Sequence, residues 1–205
     1  MIEQYHEDAV RCILNKYNDK IKTIQEMQKL FDTFIDKTRG CERDVKKLAI
    51  AIHQEIAEAV DWINWKWWKK SETNYEELKV EMIDILHFFA SMCNTVGVDL
   101  SKIPRENNSN ENLLTVLFKM SHLTSALLID KISPNQYINK FWRLLWSTFR
   151  ILDMSDEDVF NLYIRKNLEN FKRQFDKSFR NGTYYIGDDK LAIAKDILTS
   201  VCNEN

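Results

Sequence analysis

The sequence predicts an all-α fold, a helical bundle with a central acidic helix pair, and three observations carry that expectation. Only 4 glycines and 2 prolines occur among 205 residues, a composition that favours long helices over a sheet-rich fold. Apolar residues recur at helical spacing along most of the chain. The breaks between those stretches carry helix start and stop signals. The length suffices for one domain with a substantial core, and no repeat, low-complexity segment or linker divides it, so a single domain over residues 1–205 is expected.

Residues 2–17 and 20–36 read as the first two helices. In the second, Ile21, Ile24, Met27, Phe31 and Phe34 fall on one face, and Gly40 of Thr38-Arg39-Gly40-Cys41 suits a helix C-cap. A third helix is expected over 42–69, with an apolar stripe through Leu48, Ile52, Ile56 and Ile63. A neighbouring stripe holds Glu55, Glu58, Trp62 and Trp65, so the two glutamates border the apolar face. Asn74-x-x-Glu77 reads as a capping box for a fourth helix over 75–97. That helix is apolar nearly all round from Met82 to Cys93, the mark of a buried central helix, and Gly97 ends it. Residues 104–112 form a polar, Asn-rich loop. Helices follow at 113–130 and 134–153, the latter opened by Ser133-Pro134-x-Gln136. Ser155-x-x-Asp158 begins another at about 156–177, on which Lys166, Asn170, Arg173 and Lys177 share a face. Tyr184-Tyr185-Ile186 and a terminal helix from about 188 complete the chain.

Composition excludes several function classes. The formal net charge is −2 with mixed signs, so no broad basic surface for duplex nucleic acid is implied. Cys12, Cys41, Cys93 and Cys202 lie far apart without a CxxC pair, and free thiols in a reducing cytosol are expected. The histidines show no metal-ligand spacing with the cysteines, which argues against zinc. No leader and no membrane-length apolar run are evident, so a soluble cytoplasmic protein without membrane partners is expected.

The chemistry concentrates between Glu55 and Asp84. Glu55-Ile56-Ala57-Glu58 and Glu81-Met82-Ile83-Asp84 each place two carboxylates at i, i+3, on one helix face. Two antiparallel helices would bring all four together. Glu55 and Glu58 alone read as solvated charges. Asp84 reverses that reading, because its helix offers no wet face and a buried carboxylate must protonate or find a partner. A cation shared by Glu55, Glu58, Glu81 and Asp84 meets the requirement, and all-oxygen ligands favour Mg²⁺, with Mn²⁺ as a substitute. Between the pairs, Trp65-Lys66-Trp67-Trp68-Lys69 offers aromatic walls suited to a flat base and lysines suited to phosphate. Lys166-Asn167-x-x-Asn170-x-x-Arg173-Gln174 alone is an ordinary basic face; as a phosphate clamp it supplies an Arg fork and a Lys point charge. His87 alone reads as a core histidine.

Taken in order, these motifs, with Glu81-x-x-Asp84-Ile85-x-His87-Phe88 as the third, resemble the dimeric all-α dUTPases. These belong to the all-α NTP pyrophosphatases, which include MazG-like enzymes and phage dCTP/dUTP pyrophosphatases. The resemblance runs from about Ile24 to Arg173, with only helical texture between Val98 and Met154. It implies Mg²⁺-dependent hydrolysis of dUTP, and of dUDP, to dUMP by a homodimer. It implies that Glu55, Glu58, Glu81 and Asp84 hold the metal, with Glu58 first and Glu55 second as the group that orients or deprotonates the attacking water. Lys166, Asn170, Arg173 and, more weakly, Lys69 would hold the phosphates. Met27-Gln28-x-x-x-Asp32 falls where the family carries Leu-Gln-x-x-x-Asn, so Gln28, Asp32 and Trp65, with His87 of the second acidic motif, are the base-pocket candidates.

Two departures stand out. Asp32 replaces an amide that can donate and accept, whereas an ionised carboxylate only accepts. A carboxylate could accept a hydrogen bond from the exocyclic amine of cytosine, which keeps a dCTP or dual dCTP/dUTP activity open. After Arg173-Gln174 the chain reads Phe175-Asp176-Lys177-Ser178-Phe179 in place of the family's Gly-Tyr element, and its tyrosines come later. A rival from another class is a non-catalytic helical interaction protein, for which the four carboxylates would be dispensable.

Overall fold

A computed structural model describes residues 2–40, 43–105, 111–174 and 188–203. Among them are eight α-helices and no strand: α1 (Ile2–Tyr17), α2 (Lys20–Arg39), α3 (Val45–Asp61), α4 (Tyr75–Val96), α5 (Leu113–Leu128), α6 (Pro134–Ile151), α7 (Asp156–Arg173) and α8 (Asp188–Ser200). The fold is all-α, as the sequence predicts. Cys41, part of the Asn-rich loop (106–110), Lys177, Ser178, Phe179, Tyr184 and Tyr185 lie outside the described residues.

Local chemistry sets the helix ends. Asp19, Asp44, Asn74 and Asn112 each accept a backbone N–H from the first turn of the helix they precede, which satisfies a donor with no partner inside the helix. Ser133 and Gln136 form a reciprocal capping box with Pro134 in the first turn of α6. Gly40 (φ 60°) and Gly97 (φ 77°) end α2 and α4 in the left-handed region, where a Cβ would be strained.

One boundary differs from expectation. α3 stops at Asp61 rather than near residue 69, so the tryptophans stand in a connection and not on a helix end. Backbone and side-chain bonds close that connection: Asn74 N–H donates to Trp62 O at 2.9 Å, Asn64 N–H to Thr73 Oγ1 at 3.1 Å, and Ser71 Oγ to Asn64 Oδ1 at 3.2 Å. Asn, Ser and Thr side chains offer the backbone these local alternatives to the helix.

The chain groups into two compact units, residues 1–42 with 160–205 and residues 43–159. In the first, α1 packs on α2 and α8, and α2 on α8. Phe171 of α7 is buried against Phe31 and Phe34, with ring centroids at 4.9 and 5.5 Å. Cys12 and Cys202 are joined as a disulfide between α1 and the stretch after α8, with Cα atoms 5.4 Å apart, which corrects the free-thiol expectation for these two. The pair is separated by 190 residues, and only the packing of α8 on α1 makes them neighbours. Cys93 is free and buried.

In the second unit, α3 packs on α4 and α5, α5 on α6, and α4 on α6. Leu78, Met82, Ile85, Leu86 and Phe89 make α4 its apolar centre, all fully buried. Phe89 stacks on Phe141 at 5.1 Å and on Trp142 at 5.7 Å, and Trp142 Nε1 donates to Ile103 O at 3.2 Å. The fully buried core fixes α4, and with it the register of the acidic residues that interrupt it.

Candidate functional site

α3 and α4 position the acidic residues. Glu55 of α3 and Glu81 and Asp84 of α4 each offer a carboxylate oxygen, and the three oxygens lie within 4.8 Å of one another. Glu81 is 9% exposed, and Glu55 and Asp84 are half-buried. Two carboxylates at that separation repel by about 3 kcal/mol at an effective dielectric constant of about 20. Such a cluster takes up a proton or a cation. The donor set is all oxygen, with no thiolate or imidazole in the group, and three protein oxygens leave room for water or phosphate. The residues fit a hard divalent cation.

Trp62 contributes in a way the sequence signalled only by its place on the Glu55 stripe. Its Nε1 donates to Glu81 Oε1 at 3.0 Å. The bond fixes one carboxylate oxygen's direction without adding positive charge, as an outer contact to a metal ligand does. Glu58 does not join the three. It is exposed on α3 and accepts from Gln54 Nε2 at 3.0 Å. Of the other candidates in this unit, His87 is buried, Trp65 is 40% exposed and packs edge-on against Trp68 at 5.4 Å, and Lys69 is exposed in the connection. Lys66 Nζ stands 5.5 Å from the Trp65 ring centroid.

In the other unit, the structure brings Gln28 and Asp32 together and adds a residue the sequence analysis missed. Gln28 Nε2 donates to Asp32 Oδ1 at 2.9 Å, and the Tyr163 hydroxyl donates to Gln28 Oε1 at 2.6 Å. Burial, reinforced by the charge of Asp32, raises the Tyr163 pKa well above its ordinary value. The available signal was its spacing, since Tyr163 precedes Lys166 by three positions and shares its side of α7. Asn167 Oδ1 bonds to buried His6 Nε2 at 2.8 Å. Desolvation lowers the His6 pKa, partly offset by that bond. Of the phosphate candidates, Lys166 and Asn170 are half-buried and Arg173 is exposed near the end of α7. Next to Arg173, Gln174 accepts from Arg39.

Among the described residues, no helix is long and apolar enough to cross a membrane. A family model described as dUTPase matches residues 20–177, which include every candidate residue named above. Comparison with curated proteins gives no match.

Proposed function

The chain belongs to the all-α dUTPase family, a family of nucleotide pyrophosphatases, and on that premise we propose that it hydrolyses dUTP, and dUDP, to dUMP with Mg²⁺ at Glu55, Glu81 and Asp84. The observation that carries the reading is the convergence of these three carboxylates from two helices inside the matched span. The bound cation would supply charge neutralisation at phosphate oxygens and favour ionisation of a nearby water.

The chain's own residues do the rest. Trp62 holds the Glu81 carboxylate in one direction, so its geometry is set before substrate arrives. A carboxylate of α3 accepts the proton of the attacking water as its oxygen bonds to a phosphorus of the substrate, and dUTP is split into dUMP and pyrophosphate. Glu55 and Glu58 are the two candidates for that proton. Glu58 must first leave its bond with Gln54, whereas Glu55 is already among the clustered carboxylates. Lys166, Asn170 and Arg173 are assigned to the phosphates, with Lys69 as a further cation, and Gln28, Asp32, Trp65 and His87 to the base. The proposal includes a homodimer acting as one catalytic domain per chain in the cytoplasm.

A second reading, dCTP or dual dCTP/dUTP hydrolysis, is favoured by Asp32. A carboxylate accepts and does not donate, and the cytosine amine is a donor from which it can accept. A substrate panel separates the two. Purified protein with Mg²⁺ receives dUTP, dUDP, dCTP, dTTP and UTP, and nucleotide and pyrophosphate products are quantified. Preference for dUTP is the expected result, preference for dCTP moves the activity to the second reading, and turnover of neither overturns both.

A further inference from the structure

α1 and α8 lie outside the family-matched span, residues 20–177, yet both pack on α2, which lies inside it. Their attachments differ in kind. A helix of 13 residues such as α8 is marginal in water without packing. Among its described residues, Ala194, Ile197 and Leu198 are buried. Against α2 its fit is incomplete: a cleft of about 260 Å³ remains, lined by Glu26, Leu30, Thr33 and Lys37 of α2 and by Ile197 and Val201. Interior contacts are ordinarily close-packed. On α1, Lys195 Nζ stands 5.2 Å from the Tyr5 ring centroid, and Cys202 is bonded to Cys12. Both pairs are one heptad apart along each segment, so α8 runs in the same sense as α1 with pins about 10 Å apart. The first pin is weak because Lys195 is exposed. The second is covalent. Cys202 N–H donates back to Thr199 O at 3.2 Å, so the cysteine travels with α8. α1 is anchored on α7 as well, by His6 Nε2 with Asn167 Oδ1 at 2.8 Å and by Lys172 Nζ with Glu3 Oε1 at 2.8 Å. The α2 residues at the cleft stand roughly 150° round that helix from Gln28 and Asp32, at about 100° per residue. Gln28 bonds to Tyr163 of α7 on that other side, so α2 is held between α7 and α8.

We propose that Cys12–Cys202 is a redox-reversible clasp that fastens α8 to α1 and to the back of α2, and that opening it weakens nucleotide binding by loosening α2. The clasp stands apart from the functional reading; its effect on binding rests on that reading. The reductant is a small-molecule thiol. Its thiolate attacks one sulfur of the pair, a mixed disulfide forms, and the other cysteine leaves as a thiolate that takes up a proton. A second thiol displaces the mixed disulfide. Two electrons have then passed to the cysteines, both now thiols, and the reductant has become its own disulfide. Cys12 and Cys202 are half-buried, within reach of such a reagent. Cys93 is no competitor, because it is buried and desolvation raises its pKa well above the ordinary thiol range. Opening the bond removes a restraint between residues 190 positions apart and leaves α8 on its few buried side chains. An α2 supported on one side only must be ordered when nucleotide binds, and that ordering lowers affinity.

The test compares the full chain oxidised and after dithiothreitol. Peptide mapping should find Cys12 joined to Cys202 in the first state and both cysteines alkylated in the second. Hydrogen exchange should then show α8 amides exchanging about tenfold faster or more on reduction, with α1 and α7 changing far less. Cys12→Ser and Cys202→Ser should each exchange like the reduced protein, with thiol or without. With Mg²⁺, KM for the preferred nucleotide should rise about threefold or more on reduction, with kcat changing less. Absence of the Cys12–Cys202 link, or equal α8 protection in both states, overturns the clasp. Equal loss of protection across α1, α7 and α8 also overturns it, since the bond would then stabilise the whole without fastening α8. Release of α8 with an unchanged KM overturns the regulation. If neither state turns over any nucleotide, the functional reading fails, and the exchange data still decide the clasp.

Discussion

Asp32 and Glu81 are both buried carboxylates, and the protein handles them in opposite ways. Asp32 receives an N–H from Gln28 one helical turn away, and Gln28 is held in turn by Tyr163. The chain itself supplies the dipoles that replace water. Glu81 receives one N–H from Trp62, and is then set beside two further carboxylates, Glu55 and Asp84. Adding like charge beside a buried carboxylate works against folding unless something else completes the site. The contrast separates two uses of buried polarity. A carboxylate matched by a donor on its own helix fixes geometry, whereas three carboxylates set together fit a counter-charge from outside.

Removing a charge should therefore act with opposite signs in the two places. Asp84→Asn is expected to cost on the order of 10² or more in kcat/KM, the scale of losing one preorganised transition-state contact. Measured without divalent cations, its unfolding midpoint should hold or rise, because repulsion is relieved. Tyr163→Phe should instead lower stability by about 1–3 kcal/mol in urea unfolding, because it strands the Gln28 carbonyl. A drop in midpoint for Asp84→Asn equal to that of Tyr163→Phe would erase the distinction.

A sharper probe is Trp62→Phe, which keeps an aromatic ring at the end of α3 and deletes only the N–H on Glu81. Loss of an outer contact typically weakens metal binding by about 10–100-fold. Titration calorimetry with Mg²⁺ should show roughly a tenfold loss for this variant. Unchanged affinity would reduce Trp62 to packing.

The smallest effect concerns His6, buried on α1 and bonded to Asn167. Desolvation, its largest influence, depresses its pKa below the ordinary 6.5. The unfolded chain then binds more protons than the folded one as pH falls through 6.5, so stability is highest above that value and declines below it, toward the depressed folded pKa. Urea midpoints of wild type at pH 7.5 and 5.5 should differ in that sense, and His6→Gln should narrow the difference. An equal difference in both proteins would mean that other groups carry it.

The sequence made the helices legible because caps and apolar spacing are local. Gly40, Asn74, Gly97 and Ser133 all end or begin helices as their chemistry requires. The end of α3 was misread because the pattern of tryptophans continues past Asp61 while Asn64, Ser71 and Thr73 draw the backbone into a closed connection. Glu81 and Asp84 were legible as members of an acidic cluster because they interrupt an apolar helix. Glu58 was less so: an i, i+3 step advances about 300° around a helix, leaving an offset of about 60°, enough to turn one member of a pair to solvent. The Cys12–Cys202 pair and the Tyr163–Gln28 bond were not legible, because they join residues 190 and 135 positions apart and exist only through helix packing.

Thermal denaturation of the wild-type chain and of Glu81→Gln, first with EDTA and then with rising Mg²⁺, tests the three-carboxylate site most directly. A cation that binds only the folded state stabilises it by about 2.7 kcal/mol at a hundredfold excess over Kd. The predicted result is a wild-type Tm that climbs with Mg²⁺ concentration and a Glu81→Gln Tm that climbs far less. The same rise in both proteins, or no rise in wild type, would contradict the site.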